Sequence, residues 1–178
     1  MKNQVEQKIV YHDLKAENNI DPDMVDQIDK DVRRTFFPAY HKSKESTDEK
    51  EIEALIQENE EMRQKTKRIL IAYAAVDKTI AYIQGFNSIV GALVYCFHMA
   101  EVQSKKIEPC LNLKIKLSFD EEEVFYTFYG LMFFLGWRTK FLSGMDEIAS
   151  MCENFGILMK KEDPKLYKKF FSNNVNIR

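Results

Sequence analysis

The stretch STDEKEIEALIQENEEMRQKTKRILIAYAAV (residues 46–76) decides the fold class. Ile52, Leu55, Ile56, Met62, Ile69, Leu70 and Tyr73 recur at the three- and four-residue intervals that line one face of an α-helix. Ser46 and Glu49 stand at capping-box spacing, where a hydroxyl and a carboxylate each satisfy a free backbone amide at a helix start. The segment therefore reads as one helix, or as two with a break near Asn59. It is polar early and apolar late. Its charged front half, residues 49–68, is most simply a solvated face, and its heptads are too few to argue a coiled coil.

The same grammar continues on both sides. Asp21-Pro22 supplies an N-cap and a first-turn proline for a short helix through Val25, Ile28 and Val32, with Pro38 closing that region. Asn87 or Ser88 is placed to cap a helix over residues 89–102, which is apolar nearly all round and so expected at the centre. Ser118-x-x-Glu121 repeats the capping-box spacing before a Phe- and Tyr-rich helix over 122–135. Ile148, Met151, Phe155 and Leu158 mark another helix, and Asp163-Pro164 opens a last one through Leu166, Tyr167 and Phe170. Only 6 Gly and 4 Pro punctuate the chain, and no repeat, Gly/Ser linker or low-complexity tract divides it. The expectation is an all-α fold: residues 1–20 as an N-terminal extension and 21–178 as one multi-helix domain.

One segment departs from this pattern. Leu111, Leu113, Ile115, Leu117 and Phe119 alternate with Asn112, Lys114, Lys116 and Ser118, the period of a strand, yet no second strand is evident to pair with it. It reads as an extended linker pressed against the helices, or as an edge that adds to a partner's sheet.

Composition narrows the function classes. The 178 residues carry a formal net charge of -2, which is not the signature of a polyanion binder, so nucleic acid is not an expected partner. Cys96, Cys110 and Cys152 form no CxxC pair, and His12, His41 and His98 are equally scattered, so no metal site assembles from sequence neighbours. The polar first eleven residues lack a signal-peptide core, and the apolar stretches 89–100 and 124–135 fall short of the roughly 20 residues that span a bilayer. The chain is expected in the cytoplasm, meeting membranes or a cytoskeletal assembly through partners and without direct membrane insertion. Neither GxGxxG nor GxxxxGK[ST] occurs, so it has no glycine-rich phosphate cradle of its own; GxSxG, HExxH and EF-hand patterns are missing too.

Two short constellations remain. In Ile28-x-x-Asp31-x-x-Arg34-Thr35, Asp and Arg three apart share a helix face, so the carboxylate can direct the guanidinium. On spacing alone that is a surface ion pair worth less than about 1 kcal/mol, or a rigidly held Arg that reaches a partner's phosphates. In Tyr82-Ile83-Gln84-Gly85, a connection opened by Asp77 carries Gln84 between two long helices, and Gly85 permits backbone conformations closed to other residues. That is a helix-joining turn, or a loop that presents an amide to a partner while Tyr82 packs beneath it.

Taken in order, Ile-x-x-Asp-x-x-Arg-Thr followed by Tyr-x-Gln-Gly resembles the two signature motifs of the TBC family of Rab GTPase-activating proteins. The surrounding blocks are similar as well: residues 27–36, residues 70–77 leading to 82–87, and the acidic-aromatic run 121–126. The resemblance runs from about Tyr11 to Phe171. It implies an all-helical TBC-like domain that accelerates GTP hydrolysis by a bound Rab-type small GTPase. Arg34 would be an arginine finger and Gln84 a glutamine finger, with Asp31 orienting Arg34 and Tyr82 buttressing Gln84. Ile28, Thr35 and Gly85 would support them. It implies no cofactor of the chain's own, GTP and Mg being held by the GTPase. Ala81 stands where the family usually has Gly, and Phe86 where it usually has Met. The family's later tryptophan- and aspartate-containing blocks are not found after Phe171, Trp137 being the only tryptophan. The expected domain is thus the front part, lacking the C-terminal helical half. The alternative is a shortened TBC-like domain serving as a scaffold subunit without activating a GTPase, contacting other subunits through the aromatic helix 122–135 and segment 111–119.

Overall fold

The computed structural model describes residues 11–35, 48–111, 120–142 and 146–172. All of their regular structure is helical. The helices are α1 (Tyr11–Leu14), α2 (Pro22–Arg33), α3 (Glu49–Val76), α4 (Phe86–Leu111), α5 (Glu121–Phe133), α6 (Trp137–Leu142), α7 (Asp146–Glu162) and α8 (Pro164–Ser172), with a 3-10 turn at Glu17–Asn19. The chain clusters into two compact units divided after Gly130. Of the alternating segment 111–119, Leu111 is the last residue of α4, and 112–119 lie outside the described residues, as do Ser46, Ser118 and Pro38.

Helix starts follow the capping logic, in places with a different residue from the one expected. Asp21 caps α2, its carboxylate accepting from the Asp23 amide at 2.8 Å, with Pro22 at the first helical position. At α3 the side-chain cap is Asp48, which accepts from the Lys50 amide at 2.9 Å. At α5 the capping box is shifted by two residues: Asp120 accepts from the Glu123 amide at 3.0 Å, and Glu123 accepts back from the Asp120 amide at 3.2 Å. Asp163 accepts from the Leu166 amide at 2.9 Å and starts α8. In each case an aspartate one step before the helix accepts from a free amide of the first turn.

The break considered near Asn59 is absent, for α3 is one helix of 28 residues, about 42 Å at 1.5 Å per residue. An asparagine costs a helix interior only a few tenths of a kcal/mol, and the Gln64–Glu60 pair at 2.7 Å bridges one turn beside it. Residues 69–74 of α3 are buried on every side, making this the axis of the first unit. Around it pack α1, the 3-10 turn, α2 and α4.

α4 differs from its expected all-round burial. Phe86, Val90 and Val94 are buried at four-residue spacing, whereas Ala92 and Cys96 on the opposite side are exposed. α5 presents Val124, Phe125, Phe128 and Met132 as a buried stripe and leaves Tyr126 and Phe133 in part exposed. Phe125 and Phe128 are thus core of this chain, whereas Tyr126, Phe133 and Phe134 remain exposed.

Polar contacts tie the elements together. Lys67 of α3 reaches Glu17 at 2.7 Å and Asp29 at 3.2 Å, joining the 3-10 turn and α2. Arg68 holds Glu121 of α5 in a fork, Nε at 2.9 Å and Nη2 at 2.5 Å, and the Tyr11 hydroxyl donates to the same carboxylate. Burial alone would raise the Glu121 carboxyl; the donated bonds from Arg68 and Tyr11 and the guanidinium charge outweigh it and hold the group below its ordinary 4.5. A carboxyl depressed by folding stabilises the fold above its unfolded value, and that stability is lost as pH falls. Glu121→Gln is thus expected to lower stability at pH 7 by about 1–2 kcal/mol, discounted because Arg68 is part exposed. The urea midpoints of the two proteins should converge as pH drops below about 4.5.

In the second unit, α7 packs on α6 and α8. Trp137, Phe141, Met151, Cys152 and Phe155 line an apolar groove of about 390 Å³. Among the described residues no helix is long and apolar enough to cross a membrane.

Candidate functional site

The first constellation sits where α2 ends. Arg34 is the C-cap residue, at φ −92° and ψ 0°, and its side chain is 61% exposed. Its guanidinium pairs with Asp31, whose own side chain is only 4% exposed. Ile28, one turn earlier on the same stripe, is fully buried and anchors the helix in the core. Thr35 is buried too, its hydroxyl donating to the Asp31 carbonyl at 3.0 Å. A helix end leaves carbonyls without intrahelical partners, and the threonine satisfies one of them.

The second constellation sits between α3 and α4. The Asp77 amide donates to the Tyr73 carbonyl at 2.9 Å, and the Tyr73 hydroxyl donates to the Asp77 carboxylate at 2.9 Å, fixing the turn that ends α3. Ala81 then takes φ 53°, and Gly85 takes φ 110°. Gln84 and Gly85 are exposed, whereas Tyr82 on one side and Phe86 on the other are buried. The loop is pinned at both flanks and offers the amide side chain at its tip.

The structure joins the two. The Tyr82 hydroxyl donates to the second carboxylate oxygen of Asp31 at 2.7 Å. Burial, then the hydrogen bond and charge of Asp31, push the Tyr82 hydroxyl well above the ordinary tyrosine value. It therefore remains a proton donor to Asp31 throughout the working pH range. One buried carboxylate thus holds Arg34 with one oxygen and the base of the Gln84 loop with the other. Asn87 adds a second tie: its amide nitrogen donates to the Asp31 carbonyl at 3.2 Å and the Thr35 hydroxyl at 2.8 Å, and its oxygen accepts from the Gly85 amide at 3.1 Å. The sequence pattern presents Asn87 as a cap for the following helix and as the end of the family-like block 82–87, whereas α4 begins at Phe86 and places Asn87 inside its first turn. Its place two residues after Gly85 makes that contact local, but Asp31 and Thr35 lie more than 50 residues away in sequence.

A match to the Rab-GTPase-TBC domain family model covers residues 1–178. The chain belongs to the Rab-GTPase-TBC domain family. It is also similar to human "TBC1 domain family member 13", at 31% identity over 113 residues, which is 61% of this chain and 25% of that relative. The chain thus spans about a quarter of the length of the curated relative it matches. No solved structure matches it at a significant level.

Within this TBC domain, Ala81 stands out in its backbone. A residue with a Cβ in the left-handed region carries strain of about 1–2 kcal/mol, which glycine relieves at the cost of a more flexible unfolded chain. Ala81→Gly is expected to stabilise the protein by about 0.5–1 kcal/mol. A rise in thermal midpoint checks it; a fall shows that the unfolded-state term dominates.

Proposed function

We propose that this TBC domain activates a Rab-type small GTPase by inserting Arg34 and Gln84 into the partner's active site. The observation that carries the reading is the shared frame: two exposed side chains of suitable chemistry stand on one buried cluster of Asp31, Thr35, Tyr82 and Asn87. In GTP hydrolysis charge spreads over the transferring phosphoryl oxygens, and a water must be held in line for attack. Arg34 suits the first need, because a guanidinium keeps its charge at any working pH and offers a planar fork of donors. Gln84 suits the second, because an amide accepts from water through its oxygen and donates through its nitrogen. GTP and Mg are held by the GTPase, and the chain needs no cofactor of its own. The remaining residues position: Asp31 aims Arg34, Tyr82 and Gly85 set the loop, and Ile28 and Thr35 fix the end of α2.

The test is single-turnover GTP hydrolysis across a panel of Rab GTPases. Wild type should accelerate at least one of them, and Gln84→Ala should remove most of that acceleration while leaving the thermal midpoint unchanged within about 1 °C, as befits an exposed side chain. If no GTPase is accelerated, or Gln84→Ala is as active as wild type, the reading is wrong.

A second reading is a helical binding subunit of a larger assembly. It is favoured by the apolar surface of the second unit, where Phe134 is 83% exposed and Ile157 67% exposed. Binding of a Rab GTPase without acceleration, or no binding at all, selects it.

A further inference from the structure

Asn87 has a chemical requirement that only an amide side chain meets. On one side it faces the C-terminus of α2, where carbonyls lack intrahelical partners, and it donates to the Asp31 carbonyl at 3.2 Å and to the Thr35 oxygen at 2.8 Å. On the other it faces the N-terminus of α4, where amides lack partners, and it accepts from the Gly85 amide at 3.1 Å. Donors and an acceptor on one short side chain are found in asparagine; aspartate at the same shape is acceptor-only, and serine is too short to bridge both ends. The residue is 7% exposed, so an unmade bond there is not replaced by water.

The two backbone ends that it joins are those carrying Arg34 and Gln84. Arg34 is the C-cap of α2, three residues after Asp31, and Gln84 immediately precedes Gly85. The Asp31–Tyr82 bond fixes one side chain to another, whereas Asn87 fixes backbone to backbone, which governs where the two functional side chains begin. We infer that Asn87 is a positioning residue that sets the relative placement of Arg34 and Gln84, a role that rests on the activator reading above. It acts through the two backbone segments.

Asn87→Asp separates positioning from simple support. It keeps an acceptor for the Gly85 amide and loses both donors, setting a carboxylate against the Asp31 carbonyl. With the GTPase that wild type accelerates most, Asn87→Asp should lower kcat about tenfold or more while KM for the GTPase changes less than about threefold, since a displaced group is missed mainly in the transition state. Thr66→Val is the control for lost stability: Thr66 is fully buried and its hydroxyl donates to Met62 within its own helix, away from both backbone ends. It should leave kcat within twofold. Unchanged kcat in Asn87→Asp, or an equal loss in Thr66→Val at the same folded fraction, overturns the inference.

A second measurement needs no GTPase. In Asn87→Ala the Gly85 amide should exchange its proton about fivefold faster or more, the worth of one net hydrogen bond, at a constant folded fraction set by the amides of residues 69–73, whose exchange follows global stability. Unaltered Gly85 exchange overturns the tie itself. Should wild type accelerate no GTPase while Gly85 exchange responds, the activator reading falls and the backbone tie stands.

Discussion

Arg34→Ala is expected to abolish GTPase activation, lowering the accelerated rate by about 10³-fold or more, the range found when an arginine supplied in trans is removed from phosphoryl transfer. The size follows from what the group does. As the proposed arginine finger it would neutralise charge that exists fully only in the transition state, so its loss would be felt in turnover more than in binding. Arg34→Lys should recover little, because an ammonium keeps the charge but loses the fork that meets two phosphoryl oxygens together. Folding should be nearly untouched: Arg34 is 61% exposed, and an ion pair in that setting is worth less than about 1 kcal/mol. Tyr82 still donates to the buried Asp31 carboxylate after the change, so that charge retains a partner. The decisive data are single-turnover rates beside unfolding midpoints. A variant within tenfold of wild-type activation would remove Arg34 from the chemistry whatever its geometry.

How far the sequence reached differs between fold and site. Helical periodicity and helix-start residues were local signals, so α2, α3, α4, α5, α7 and α8 were all legible as helices, α4 over 89–102 against the observed Phe86–Leu111. Which residue caps each was less so, because Asp48 and Asp120 compete with Ser46 and Ser118 at nearly equal spacing, and only the backbone decides. The degree of burial on α4 was misjudged for a related reason. Ala92 and Cys96 are apolar enough to look like core, yet small enough to be left in water at little cost. At the site, the pairing of Asp31 with Arg34 was legible because helix geometry imposes it at i,i+3. The Asp31–Tyr82 and Asn87–Thr35 bonds were not, since they cross 51 and 52 residues and are created only when α2 packs by the loop. Sequence pattern thus identified the exposed side chains, and tertiary packing supplied the buried frame that relates them.

That frame rests on aromatic core, and Phe86 is where the two meet. It follows Gly85 directly and is fully buried, with three rings set edge-on around it: Tyr73 at 5.8 Å, Phe128 at 5.6 Å and Tyr82 at 6.1 Å between centroids. Phe86→Ala removes the ring shared by all three contacts. A phenylalanine-to-alanine change in a closed core costs about 3–5 kcal/mol, a large part of the roughly 5–15 kcal/mol that holds a domain of ordinary stability. The denaturation midpoint should fall steeply, with a substantial unfolded population at 37 °C. Phe86→Met, the residue the family usually carries there, should cost less than about 1.5 kcal/mol, because a flexible thioether of similar volume fills the space and still meets the rings. The pair of variants also separates core from catalysis. The methionine variant should keep activation close to wild type, since the Tyr82 hydroxyl and the Gly85 amide retain their polar partners. Equal destabilisation by Ala and Met would mean that the edge-to-face geometry, rather than filled volume, holds this junction; loss of activation with full stability in Phe86→Met would mean that the ring orients the Gln84 loop directly.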